Sequence, residues 1–256
     1  MERKKIKDQQ VPSIGLGTWR LSGGACVEAV ERALSMGYRH LDTAQMYGNE
    51  NEVGRGMSNS GVGQADIFLV TKLSPGNFTR ERALASARES LRKLGTEYVD
   101  LLLMHWPNPS VPLKETLGAM VELQEEGSVR HVGVSNFPAP MVEEATRYAE
   151  IFCNQVEYHP RKPQNELLKQ ARTLDYLLTA YSPVAKGRLA DDATLKEIGG
   201  SHRKTPSQIA LRWLIQQEKV CAIPKAQSRE HQQSNLDLFD FELSEEELER
   251  ISSLGR

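Results

Sequence analysis

The chain has 256 residues, of which 39% are hydrophobic, and its 32 lysines and arginines nearly cancel 34 aspartates and glutamates. That apolar content and near-neutral charge exclude a disordered chain and give no basic face for a nucleic acid. Cys26, Cys153 and Cys221 are far apart and odd in number, so no disulfide framework and no metal site is expected. Met1-Glu2-Arg3-Lys4-Lys5 is basic but no apolar run follows it, and no stretch reaches the ~18 apolar residues that span a membrane. A cytoplasmic protein with no membrane partner is expected.

Short apolar runs then alternate with amphipathic stretches along the chain. Residues 15–18 read as a strand, followed by a helix with Cys26, Val30, Ala33 and Leu34 on one face and Gly37 at its end. Strands are expected at 39–42 and 67–71, the second followed by a helix carrying Leu84, Ala87, Leu91 and Leu94 and ended by Gly95. The run 98–104 precedes a helix with Leu113, Leu117, Met120 and Val121 that stops at Gly127. Further strands are expected at 129–134, 151–155 and 177–181. Thr205-Pro206-Ser207-Gln208 is a capping box with proline in the first helical position, and it opens a helix with Ile209, Leu211 and Trp213. The last strand candidate is 220–223, and a second capping box, Ser244-Glu245-Glu246-Glu247, precedes Leu248, Ile251 and Leu254.

Eight strand candidates, each followed by a helix, predict an α/β protein: a parallel eight-stranded (β/α)8 TIM barrel forming a single domain over residues 1–256. The competing reading is an open doubly wound sheet. A dinucleotide-binding sheet of that kind shows G-x-G-x-x-G after its first strand, whereas Gly15-Leu16-Gly17-Thr18-Trp19-Arg20 has no third glycine.

Barrel enzymes carry their chemistry at the carboxyl ends of the strands. The polar residues there are Asp42 with Tyr47 five positions on, Lys72, His105-Trp106, Ser135-Asn136, Asn154-Gln155, Tyr181-Ser182 and Lys225. A phenol is a weak proton donor near neutral pH, and a nearby ammonium lowers its pKa. A carboxylate holds that ammonium in place, and an imidazole orients a substrate oxygen. Together they make an acid suited to an alkoxide forming on a carbonyl, provided a hydride donor lies alongside. Each residue also has an innocent role: Asp42 and Lys72 as a structural ion pair, Tyr47 and Lys225 on the surface, His105 in the core, Asn136 as a helix cap. Their shared position at one barrel end favours the functional reading. His40, His131, His159 and His202 lack metal-ligand spacing and are expected to be structural or on the surface.

The segments GLGTW (15–19), LDTAQMYGNE (41–50), VTKL (70–73), LLLMHWP (101–107), GVSNF (133–137), CNQVEYHP (153–160), AYSP (180–183) and IPK (223–225) run in an order that resembles the aldo-keto reductase superfamily over nearly the whole chain. Within that family the resemblance is to small bacterial reductases of 2,5-diketo-D-gluconate and methylglyoxal. It implies a metal-free, NADPH-dependent reduction of small aldehydes and ketones by direct hydride transfer. Tyr47 would be the general acid, tuned by Lys72 and Asp42, with His105 positioning the carbonyl. Ser135, Asn136 and Gln155 would hold the nicotinamide carboxamide, Tyr181 would stack on its ring, and Thr18, Trp19 and Ser182 would complete that end of the cofactor site. Lys225 would meet the 2′-phosphate, with His231 beside it and Asn235 at the adenine. Trp19 and Trp106 would line the substrate pocket.

Four departures qualify the resemblance. Ala226, His231 and Ser234 stand where the family has serine, arginine and glutamate, and an imidazole lacks the planar fork that suits a 2′-phosphate. Weakened discrimination, with NADH usable, is expected. Ser74 replaces a tryptophan of several relatives, the loop after Tyr181 is short, and the chain stops soon after its last helix. An open pocket for small polar substrates is expected, in a monomer. A second reading is a nicotinamide-binding regulatory barrel with little turnover, and a third is a barrel isomerase. The intact Asp42, Tyr47, Lys72 and His105 argue against the former, and the nicotinamide contacts against the latter.

Overall fold

Among the described residues ten strands form, and eight of them make one parallel sheet in strict chain order. The computed structural model describes residues 2–255. An antiparallel hairpin comes first, β1 (Arg3–Ile6) and β2 (Gln9–Pro12). Then β3 (Leu16–Gly17) leads to α1 (Gly23–Ser35), β4 (His40–Asp42) to α2 (Glu50–Ser60), and β5 (Phe68–Leu73) to α3 (Arg80–Leu94). β6 (Val99–Met104) leads to α4 (Leu113–Glu125), β7 (Val129–Ser135) to α5 (Ala139–Ala145), and β8 (Ile151–Glu157) to α6 (Asn165–Leu174). β9 (Leu177–Tyr181) is followed by two helices, α7 (Ala193–His202) and α8 (Pro206–Gln216). β10 (Val220–Ala222) leads to α9 (Arg229–Leu236), and α10 (Glu245–Ser252) follows.

The sheet closes on itself. Parallel bridges join Ile14 to Ala222 and Gly17 to Lys225, and Gly15 N and Gly17 N donate to Ala222 O and Pro224 O at 2.9 and 3.1 Å. Only glycine allows the second contact, because a Cβ on Gly17 would lie 2.7 Å from Ile223 O. The expected barrel is therefore present. Both predicted capping boxes form as well, at Thr205 and Ser244.

Alternation along the strands sorts the core into two layers. Phe68, Val70, Leu101, Leu103, Phe152, Cys153, Leu177 and Cys221 fill the barrel interior, where Ile6 and Val11 of the hairpin join them. Their neighbours in sequence, such as Leu69, Leu102 and Leu178, pack outward against the helices. The hairpin was absent from the sequence-based expectation because Arg3-Lys4-Lys5-Ile6 offers only one buried residue, Ile6. It folds there because the barrel floor needs an apolar plug. Likewise α7 was not expected; Asp192 caps it by accepting from Leu195 N.

Candidate active site

The same period of two that fills the interior carries polar groups to its upper rim. Val70 is followed inward by Lys72, Leu103 by His105, Cys153 by Gln155, and His40 by Asp42. Four residues expected to act together do meet. Lys72 Nζ lies 2.6 Å from Asp42 Oδ1, 2.8 Å from Thr43 O and 3.4 Å from the Tyr47 hydroxyl. Asp42 and Lys72 are 1% and 0% exposed. The His105 ring meets Tyr47 edge to face, with centroids 5.6 Å apart.

Tyr47 ends a single 3-10 turn, Gln45–Tyr47, closed by Gly48 at φ 66°, where glycine suits the left-handed backbone. Neighbours that the sequence reading missed hold this turn. Gln45 Oε1 accepts from Ser74 N and Asn77 Nδ2. Asn49, 1% exposed, accepts from Thr43 Oγ1 and donates to Thr18 O and Leu21 O. A polar loop residue between motif positions carries no periodic signal, so these staples were not legible.

The electrostatics follow from burial and this close grouping. Burial alone would lower the Lys72 ammonium, but Asp42 and Tyr47 facing it raise it above the usual lysine range. Burial pushes the Tyr47 phenol up and Asp42 adds to this, while Lys72 pulls it down. Lys72 thus acts in the expected direction, yet the phenol stays above its ordinary value in the protein alone; that corrects the sequence expectation of a lowered acid. Burial, then Lys72, depresses the His105 imidazole to about 4, so it is neutral near pH 7 and able to donate an N–H.

The residues expected around the nicotinamide also converge. Ser135 Oγ donates to Gln155 O at 2.7 Å. Asn136, at φ 64°, donates to His105 O and Ser135 Oγ and accepts from the Tyr181 hydroxyl at 2.9 Å. It is no helix cap, since Pro138 occupies that place before α5. Ser182 takes a left-handed turn at φ 48° and its carbonyl accepts from Ala185 N. Thr18 is fully buried and its hydroxyl donates to Asp42 O at 2.9 Å, so it braces the strand that carries Asp42.

Trp19 and Trp106 are 40% and 44% exposed, and Met46, unpredicted, is 57% exposed beside Tyr47. All three sit on loops at one barrel mouth, where exposed apolar groups mark a binding surface. Trp19 is flanked by Arg20 at 4.2 Å and by Lys186 at 5.2 Å, so the loops after β3 and β9 approach each other. Lys225 is exposed just after β10. His231 and Asn235 lie on α9, whose N-cap Ser228 accepts from His231 N. Arg32, another unpredicted residue, reaches from α1 to Gln227 O at 2.6 Å and braces the segment between Lys225 and His231. Asn154, named beside Gln155, serves structure: it is buried and donates to Phe137 O.

A closed parallel barrel thus presents this cluster at its mouth. The aldo/keto reductase family model matches residues 13–256, and the chain belongs to that family of NAD(P)H-dependent oxidoreductases. It is 38% identical to a glyoxal reductase of Bacillus subtilis, over 96% of this chain and 90% of the relative. It is 35% identical to the methylglyoxal reductase DkgB of Escherichia coli O157:H7, over 95% of this chain and 93% of that protein. A solved structure described provisionally as a 2,5-diketo-D-gluconic acid reductase B superposes with a TM-score of 0.98 at 44% identity, over 100% of this chain and 92% of that one. Among the described residues, no helix is long and apolar enough to cross a membrane.

Proposed function

We propose that this protein is an NADPH-dependent reductase of small aldehydes and ketones, with Tyr47 as the general acid. Methylglyoxal and keto-sugar acids such as 2,5-diketo-D-gluconate are the substrates its relatives suggest. The observation that carries the reading is the chain from the buried Asp42 and Lys72 to the half-buried Tyr47, with contacts of 2.6 and 3.4 Å beside a neutral His105.

The residues present fit a nicotinamide. Tyr181 is a half-buried ring tethered at its hydroxyl, and Gln155 keeps one amide oxygen without a partner among the described residues. When bound, the cofactor supplies the hydride that becomes the new C–H bond at the carbonyl carbon. Ser135, Asn136, Gln155 and Tyr181 would hold the nicotinamide end, and Lys225, His231 and Asn235 the adenosine end. His105, as a neutral N–H donor, orients the substrate oxygen and favours charge building there. Tyr47 gives its proton to that oxygen, completing the alcohol, and Lys72 stabilises the phenolate left behind. Trp19, Met46 and Trp106 shape the substrate mouth.

The test is NADPH oxidation by methylglyoxal with the parent and Tyr47→Phe. Turnover should fall by roughly 10²–10⁴ in the variant while NADPH binding persists. Equal turnover of the two would remove Tyr47 as the acid. NADPH binding without turnover of any small carbonyl would remove the reductase reading.

A further inference from the structure

We propose that Gln155 is a positioning residue of the acid, gripping Asp42 from the opposite wall of the barrel, beyond any part it takes in holding a cofactor. The inference rests on the reading of Tyr47 as the acid. β4 is the second strand of the ring and β8 the sixth, so they face one another across the interior. Gln155 Nε2 spans that gap to Asp42 Oδ2 at 2.7 Å, joining residues 113 positions apart.

The two oxygens of Asp42 are divided between two donors. Lys72 takes Oδ1, and Gln155 alone among the described residues donates to Oδ2. Asp42 is 1% exposed, so without the amide Oδ2 would be a buried acceptor with no partner. A carboxylate only accepts, which requires the Gln155 NH2 to face Asp42 and turns Oε1 away. The backbone that carries the side chain is held in place, because the Gln155 main-chain carbonyl receives both Ser135 Oγ at 2.7 Å and Asn136 N at 2.9 Å.

Donors on both oxygens stop the carboxylate from rotating and offset part of its charge. Lys72 Nζ is then held between Asp42 Oδ1 and Thr43 O, within 3.4 Å of the Tyr47 hydroxyl. Loss of the amide leaves Asp42 more negative towards both neighbours. The ammonium is drawn to it, and the phenol, which Asp42 already disfavours ionising, becomes a poorer acid.

Gln155→Met keeps the side chain's length and removes its donor. At saturating cofactor its kcat should fall roughly tenfold, and the alkaline limb of the kcat profile should move up by about half a pH unit or more. Gln155→Asn, which keeps the amide but is one carbon too short to reach Asp42 Oδ2, should move that limb the same way; it decides the question should the methionine variant fail to fold. A second readout needs no cofactor. Urea midpoints of Gln155→Met, Asp42→Asn and the double variant should be non-additive, the double losing less than the sum. A change confined to the KM and Kd for NADPH, with kcat and its limb unmoved, overturns the proposal. So do additive midpoints, and so does coupling in urea without a shifted limb, which leaves a structural bond only. If Tyr47→Phe turns over like the parent, the general-acid reading fails instead, while the urea cycle still judges the grip on Asp42.

Discussion

Lys72→Met should unfold far more easily than a lost surface charge would suggest. The Lys72 and Asp42 side chains are 0% and 2% exposed and 2.6 Å apart. Removing one partner of such a pair leaves a buried charge without compensation, at a cost of about 3–5 kcal/mol. A domain is stable by only about 5–15 kcal/mol, so this is a large share. Asp42→Asn added to Lys72→Met removes the stranded charge and keeps a group that Gln155 can meet. The double variant should therefore be more stable than Lys72→Met alone, and the cycle should show a coupling of about 1–3 kcal/mol. Urea unfolding of the four proteins, followed by far-UV circular dichroism, measures this directly. Additive losses, or a Lys72→Met protein as stable as the parent, would show that the pair is solvated and refute the reasoning. Turnover should collapse in all three variants, since each removes the charge arrangement around Tyr47.

Acid should destabilise the protein through His105: its folded value of about 4 lies below the ordinary imidazole near 6.5, so the unfolded state takes up the proton first. That contribution is intact above pH ~6.5 and is lost as pH falls towards ~4, by about 3 kcal/mol in all; His105→Asn should flatten that limb of a melting-temperature profile. Gly17→Ala places a Cβ 2.7 Å from Ile223 O at the barrel seam, and should cost about 1–3 kcal/mol in urea unfolding. His231→Arg should raise the preference for NADPH over NADH in cofactor titrations, because a guanidinium offers the 2′-phosphate a planar fork. Equal, high discrimination in parent and variant would refute that.

Much of this molecule was legible in one dimension. The eight strand–helix units follow from apolar runs alternating with 3.6-residue periods, and their number implies the barrel. Asp42, Lys72, His105, Ser135, Gln155 and Tyr181 end successive strands, so a barrel, once assumed, brings them to one mouth. Other features depend on distant parts of the chain. Ile6 and Val11 become core only because a closed barrel leaves a floor to fill. Gln45 and Asn49 hold the Tyr47 turn through partners up to 45 residues away. The Tyr47 phenol sits higher than its lysine neighbour suggests because burial, which no sequence states, outweighs that charge. The Gln155–Asp42 bond exists because strands far apart in sequence stand opposite in the ring. Strand order and side-chain alternation are local properties, and the sequence determined them by itself. Which groups lose water together, and which face each other across the interior, was decided only when the barrel closed.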